Sequence, residues 1–197
     1  TGCSHHLECA VQKVLRDCGL FQGHRQQGRE MNAHLALPLE QLNAVVLSHA
    51  HIDHSGELPL LAKQGYRGPI YTTPATVDLC EKMLKDSGHI QESDAEFVNK
   101  WVRRRKVIGI TSGDSAVTPL YTQEDAAQAM QQFKPVKLHT PQLLAGSTAE
   151  AGLTATTTDA GHMLGSTSVL LEAREQGKTT RLLFSGDVGR KNLSIIN

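Results

Sequence analysis

Four potential metal ligands crowd into six consecutive positions, His49-Ala50-His51-Ile52-Asp53-His54, directly after the apolar run from Asn43 to Ser48 (Asn-Ala-Val-Val-Leu-Ser). That run is too brief for a helix, carries β-branched residues and is bounded by polar groups, so it predicts a buried strand ending at His49. Ligands one residue apart at a strand end can point to the same side, and the following turn redirects Asp53 and His54 to a neighbouring point. Such a chain must fold so that a sheet edge opens on two adjacent cation positions. Imidazole nitrogens with one carboxylate suit Zn²⁺, or another divalent transition ion such as Mn²⁺, better than Ca²⁺ or Mg²⁺. With ten histidines in the chain, a chance surface cluster is the competing reading. The preceding strand, the carboxylate among the imidazoles and the Gly56 that permits a tight turn argue against it.

Two later segments offer further ligands. His162 follows a strand and is flanked by glycines in Gly161-His162-Met163-Leu164-Gly165-Ser166, and Asp187 follows the strand Leu182-Leu183-Phe184-Ser185 in Gly186-Asp187-Val188-Gly189. Alone, each reads as a structural histidine and a turn-forming aspartate. Their order behind the histidine cluster fits a sheet converging on one edge, and both are expected as ligands.

Between these segments the pattern is mixed. Gly56 to Ala62 predicts a helical turn or two, Gly65 to Thr73 a second strand around Pro69-Ile70-Tyr71, and Pro74 to Ser87 and Ser93 to Arg105 two helices, with Ser93 as a cap. Gly109 to Pro119 predicts a loop and Thr122 to Phe133 another helix, so residues 74–133 read as a helical arm. Strands return over Gly152 to Asp159, Thr167 to Glu172 and Thr179 to Ser185, with Glu175 to Lys178 as a hairpin turn. The chain therefore reads as α/β, largely antiparallel in its later part.

At 197 residues the chain is long enough for one core without disulfides. Twenty basic residues balance twenty acidic ones, so any polyanion must bind locally rather than through net charge. Cys3, Cys9, Cys18 and Cys80 form no Cys-x-x-Cys pair and read as buried or idle thiols. No stretch approaches the ~18 apolar residues of a membrane span and no basic-then-apolar leader opens the chain, which predicts a soluble cytoplasmic protein. The start at Thr1 and the stop at Asn197, just past a site loop, are expected of a fragment.

The residues His49 to His54 resemble the His-x-His-x-Asp-His motif of the metallo-β-lactamase superfamily. Thr1 to His5, Arg16 to Gly23, Gly161 to Ser166, Ser185 to Arg190 and the helical arm, including Ile90 to Glu96 and Pro119 to Thr122, further resemble the β-CASP nucleases, especially prokaryotic RNA-cleaving members. The resemblance covers nearly the whole chain. It implies a four-layer α/β/β/α sandwich, here incomplete, with residues 1–197 as the N-terminal part of the metallo-β-lactamase domain. The inserted β-CASP domain, a general-acid histidine and a last zinc-binding histidine would lie beyond Asn197. It also implies two Zn²⁺: one on His49, His51 and His162, a second on Asp53 and His54, with Asp187 bridging and Asp17 orienting the histidine loop from behind. The implied activity is cleavage of RNA, or of DNA, by a hydroxide bridging two metals, with Asp53 aiming it. RNA or another single-stranded nucleic acid is the implied partner, and a homodimer of the full-length protein is compatible with the resemblance.

Two other functions compete. A small-molecule hydrolase of the same superfamily, a glyoxalase-type thioesterase or a lactamase, is disfavoured by the helical arm and the Gly-Leu-Phe-Gln-Gly segment. A non-catalytic subunit of an RNA-processing complex is disfavoured by the intact set of ligands. The Arg103-Arg104-Arg105-Lys106 run reads first as a solvated helix face and second as a phosphate contact, with only Trp101 nearby for stacking.

Overall fold

The computed structural model of the chain describes residues 2–9, 12–23, 28, 31–32, 39–107 (backbone only for 105–107), 116–148 and 150–190. They form two sheets and a layer of helices. The first sheet has the order β1 (His5–Cys9), β2 (Gln12–Arg16), β3 (Leu42–Val46), β4 (Ile70–Thr72) and β5 (Phe133–Pro135). β1 and β2 are antiparallel, and the remaining neighbours are parallel. The second sheet is the antiparallel set β6 (Gln142–Leu143), β7 (Gly152–Asp159), β8 (Thr167–Glu175) and β9 (Lys178–Phe184). Helices α1 (Ile52–Ser55), α2 (Leu58–Lys63), α3 (Pro74–Val107) and α4 (Gln123–Met130), with a short 3-10 turn at Leu39–Gln41, complete the described elements.

Alternation along the first sheet separates two cores. Leu15, Val45, Leu47 and Ile70 point to the helices and pack with Leu58, Leu61, Cys80, Leu84 and Ala126. Val14, Ala44 and Val46 point the other way and pack with Leu153, Ala155, Val169 and Leu171 of the second sheet. Period-two side-chain alternation makes one apolar run serve both faces, which is why the strands of a sheet covered on both sides read as continuous apolar stretches. At roughly 1.5–3 kcal/mol per buried aliphatic side chain, these two layers hold the parallel strands in register. Their shared C-terminal edge is then a rigid base for the loops beyond it.

Several expectations are corrected. The two helices expected between Pro74 and Arg105 are one, and Ser93 is an exposed interior residue rather than a cap. Gly88 does not end the first of them. A Cβ there would stand 2.8 Å from the Gln123 nitrogen and the Thr122 carbonyl carbon, so the glycine admits the start of α4 against α3. The helix bears the ~1 kcal/mol cost of a glycine for that close approach. Nor does a helix run to Phe133. α4 is capped by Thr122 in a reciprocal capping box with Asp125 and ends at Met130, and Phe133 opens β5 beside Ile70. Strands β1 and β2 were not among the elements the sequence predicts, because they mix charged and apolar residues. Of the loop expected from Gly109 to Pro119, residues 109–115 lie outside the described residues, as do His24 and His34. The turn between β8 and β9 stands as expected, with Gln176 and Gly177 both at positive φ.

The layers run helix, sheet, sheet. Among the described residues no helix covers the outer face of the second sheet, so the fourth layer that the resemblance implies is not among them. None of the helices is long and apolar enough to cross a membrane, among the described residues. Cys9, Cys18 and Cys80 are buried free thiols, and Cys3 is half-buried.

Candidate metal centre

The histidine loop leaves β3 and is pinned from two sides. Thr167, at the start of β8, donates its backbone N–H and its hydroxyl to the Ser48 carbonyl at 3.0 and 3.1 Å, tying the second sheet to the loop. On the other side the loop after β2 caps α1. The Ile52 carbonyl accepts from Gly56 N–H at 2.8 Å within the turn, and the N–H groups of Leu20, of Cys3 from the segment before β1, and of Cys18 donate to the Ile52, Asp53 and His54 carbonyls at 3.0, 2.7 and 2.7 Å. A Cβ on Gly19 would lie 1.7 Å from the Asp53 carbonyl oxygen, so only glycine admits this contact.

His162 and Asp187 arrive from the second sheet. Ser166 Oγ accepts from the His162 and Met163 N–H groups at 3.1 Å each, and Gly161 and Gly165, both at positive φ, turn the loop. The Thr73 and Thr76 hydroxyls donate to the Gly165 carbonyl and anchor the loop to the start of α3. The Asp187 loop crosses it closely: Gly189 N–H donates to Ala160 at 3.0 Å, and a Cβ on Gly189 would meet the Gly161 oxygen at 1.5 Å.

Four of the expected ligands meet in one group. His51 Nδ1 lies 3.1 Å from His49 Nε2 and 3.2 Å from His162 Nε2. Asp187 Oδ2 is 3.5 Å from His162 Nε2 and 4.0 Å from His49 Nε2. A ring nitrogen offers one in-plane hydrogen or lone pair, so His51 Nδ1 does not satisfy both nitrogens by hydrogen bonding. A shared cation does. Ligands at about 2.0–2.1 Å around tetrahedral Zn²⁺ stand ~3.3 Å apart, within the span of these separations. The donor atoms of His49, His51, His162 and Asp187 all lie within 4.8 Å of one another.

The other Asp187 oxygen faces a second group. Oδ1 is 3.6 Å from His54 Nε2, and Asp53 Oδ2 is 3.9 Å from the same nitrogen. Asp187 thus stands between the two sets of donor atoms, with one oxygen toward each.

Behind them is Asp17, fully buried and at φ 57°. Its Oδ1 accepts from Ser48 N–H at 2.8 Å, and its Oδ2 accepts from Ser48 Oγ at 2.9 Å, His54 Nδ1 at 2.7 Å and Arg16 Nη1 at 2.8 Å. Because the Ser48 hydroxyl proton is given to Asp17, its oxygen accepts from His49 Nδ1 at 3.0 Å. One carboxylate therefore places the proton on Nδ1 of both His49 and His54 and leaves both Nε2 lone pairs directed at the ligand groups. Burial foremost, with His54 nearby, pushes His49 down to about 4, so it is neutral at neutral pH. Burial is also the largest influence on His54 and lowers it, but the Asp17 hydrogen bond and charge, with Asp187 and Asp53, outweigh it and raise its pKa.

Sequence reading missed the supporting residues. Arg16 and Thr167 are ordinary polar residues in strands and Ser48 lies just past β3, and nothing in their spacing marks them. Cys3, read as idle, has its sulfur within 4.8 Å of donor atoms of Asp17 and His54 and accepts from Arg16 Nη1 at 3.5 Å. Burial, followed by the Asp17 charge, pushes its thiol up and keeps it protonated. His5, His6, His89 and His139 are exposed.

A helix-backed pair of sheets that gathers four histidines and two aspartates at one edge defines a metal-binding hydrolase scaffold of the metallo-β-lactamase kind. The metallo-beta-lactamase superfamily domain matches residues 6–183, and the chain belongs to that superfamily. It is 32% identical over 196 residues to Ribonuclease TTHA0252 of Thermus thermophilus, covering 100% of this chain and 37% of the relative. It is 30% identical over 184 residues to Transcription termination factor FttA of Cenarchaeum symbiosum (92% and 24%) and 27% identical over 154 residues to Endoribonuclease YSH1 of Gibberella zeae (78% and 15%). These are the relatives that the β-CASP resemblance implies, and the chain spans little more than a third of their length at most. Among solved structures, a Cronobacter sakazakii metallo-β-lactamase variant matches with a TM-score of 0.54 at 17% identity, covering 98% of this chain and 59% of that one. At that identity the likeness concerns the fold.

Proposed function

We propose that the chain forms the metal-binding part of a nuclease that hydrolyses phosphodiester bonds of RNA, with two Zn²⁺ as its ions. The observation that carries the reading is Asp187, whose two oxygens face two separate ligand groups. His49, His51 and His162 with Asp187 Oδ2 would hold one ion, and Asp53 and His54 with Asp187 Oδ1 the other. Imidazoles with carboxylates favour Zn²⁺, and Mn²⁺ fits the same donors. Such a pair of ions lowers the pKa of water and neutralises charge on phosphoryl oxygens.

The protein's own contribution is alignment. Asp17 and Ser48 fix the tautomers of His49 and His54, so the cavity keeps its shape when phosphate enters. Asp53, with its side chain 37% exposed, is placed to accept a hydrogen bond from an attacking water and aim it. The carboxylates of Asp53 and Asp187 would repel a phosphodiester on their own and would be neutralised by the cations they hold. The substrate class comes from the relatives named as ribonucleases. A cytoplasmic location and the homodimer belong to this reading as well, as does the completion of the site by a further domain.

The test is metal content by plasma emission, alongside cleavage of labelled single-stranded RNA, S-lactoylglutathione and a β-lactam. In the full-length protein Asp187→Asn should lower RNA cleavage at least about 100-fold, and in this chain it should reduce bound metal, because it removes an anionic ligand from both groups. Unchanged cleavage, or turnover confined to the thioester or lactam, refutes the reading.

A further inference from the structure

We propose that the cavity beside the His162 loop, walled by Pro74, Ala75, Val136, Leu138 and Leu164, holds one unpaired base of an RNA strand whose adjoining phosphate lies at the metal centre. The cavity has a volume of about 480 Å³, within the ~300–1,000 Å³ of small-molecule sites. Its floor is closed by Thr73, Val136 and Ser166, all buried. Its rim is open, with Leu138 40% and Leu164 60% exposed. Accessible leucines above a closed floor are apolar surface that a ligand can cover.

Ser166 belongs to the cavity and to the metal centre at once. It lines the cavity, and its Oγ accepts from His162 N–H at 3.1 Å. The opposite wall, at the start of α3, is bonded to the same loop: the Thr73 and Thr76 hydroxyls donate to the Gly165 carbonyl at 2.7 and 2.9 Å. The approach is close, because a Cβ on Gly165 would stand 2.8 Å from Thr73 Oγ1 and from the Thr76 nitrogen. Leu164 follows His162 by two residues. A group in the cavity therefore rests on the loop that carries an expected metal ligand, and a strand can run from one to the other.

The chemistry of the walls selects the occupant. A phosphate in the cavity would meet five apolar side chains that cannot solvate it, and the Asp159 carboxylate would oppose its charge. An aliphatic side chain would match the apolar walls and leave Lys137 and Asp159, both exposed in the lining, without a use. A nucleobase answers both. Its faces are apolar, and its edge carries donors and acceptors for an ammonium that donates and a carboxylate that accepts. A base in a duplex has to leave its stack before it can enter such a cavity, so the walls select a single strand. The choice of RNA rests on the proposed reading of the metal centre as a ribonuclease site; the fit of the cavity to a base does not.

The test titrates the Zn²⁺-loaded chain with a single-stranded tetranucleotide carrying 2-aminopurine, whose emission changes when its ring is buried. A saturable change is expected, and an abasic strand of the same length should compete at least about tenfold more weakly. Leu164→Ala and Leu138→Ala should each weaken binding by about tenfold or more, the range for losing methylenes from an apolar pocket. Both positions are exposed, so circular dichroism and bound metal should stay as in the parent. Leu183→Ala, at a residue 71% exposed and outside the walls, should bind as the parent does. Absence of a saturable change, equal competition by the abasic strand, equal binding of a duplex, or weakening that only follows lost metal overturns the proposal. Cleavage of RNA by the full-length protein decides the reading of the metal centre separately. Base-dependent binding that needs Leu164 while metal is retained supports the cavity even where that protein leaves RNA uncleaved, and only the ribonuclease reading then falls.

Discussion

Asp17→Asn removes one formal charge and changes almost no volume, so it isolates what the buried carboxylate does. The acid accepts from four donors: Ser48 N–H, Ser48 Oγ, His54 Nδ1 and Arg16 Nη1. An amide can accept at only one of its two ends. Turned with its oxygen toward His54, its NH₂ opposes the Ser48 N–H; turned the other way, it opposes three donors at once. In either case Arg16, 2% exposed, loses its counter-charge. Breaking a buried ion pair from one side costs about 3–5 kcal/mol. At ~2–4 °C per kcal/mol for a domain of this size, melting in the presence of a chelator should fall by roughly 6–20 °C. Separately, His49 and His54 lose the group that sets their tautomers, which should cost about 10- to 100-fold in metal affinity. Thermal melts by circular dichroism measure the first effect, competition for Zn²⁺ against a fluorescent chelator the second. A melting point within ~2 °C of the unaltered chain, together with metal affinity within twofold, refutes the account of Asp17.

Two further perturbations follow from the geometry. Burial raises Glu57 to about 7 from 4.5, so the folded chain holds that proton more tightly than the unfolded one. The stability it confers is complete below about pH 4.5 and is lost as pH climbs to about 7. In chelator, Glu57→Gln should remove up to about 3 kcal/mol of that decline, seen as a gap between variant and parent urea melts that widens from pH 5 to pH 8; parallel pH profiles refute it. Gly189→Ala would put a methyl group on the Gly161 carbonyl, and should part the Asp187 and His162 loops and weaken the first metal by tenfold or more. The control, Gly177→Ala, has open space around its Cβ and should leave metal binding unchanged while costing stability for its positive φ, so equal metal affinity in both variants argues against coupled loops.

The cluster was legible because imidazole and carboxylate have no substitutes as donors to a transition ion: on the proposed reading His49, His51, Asp53 and His54 have to appear as themselves, and His162 and Asp187 have to sit among glycines in loops that cross closely. Buried strands were likewise visible where β-branched residues ran together, as in β3. Less was legible where several residue types serve equally well. β1 and β2 mix charged and apolar residues because the first is an edge strand, and Gly88 looks like a helix break when read along the chain but is a contact point when read across it.

The sequence by itself determined which atoms are available to bind a cation and the class of chemistry they permit. The tertiary structure decided which of them meet. His51 Nδ1 lies between nitrogens from two different sheets, and Asp187 turns one oxygen to each ligand group, only because Thr167 ties β8 to Ser48 and Gly189 lets two loops touch. Contacts between residues more than a hundred positions apart depend on packing across the sandwich, and packing is a property of the whole fold that no local pattern encodes.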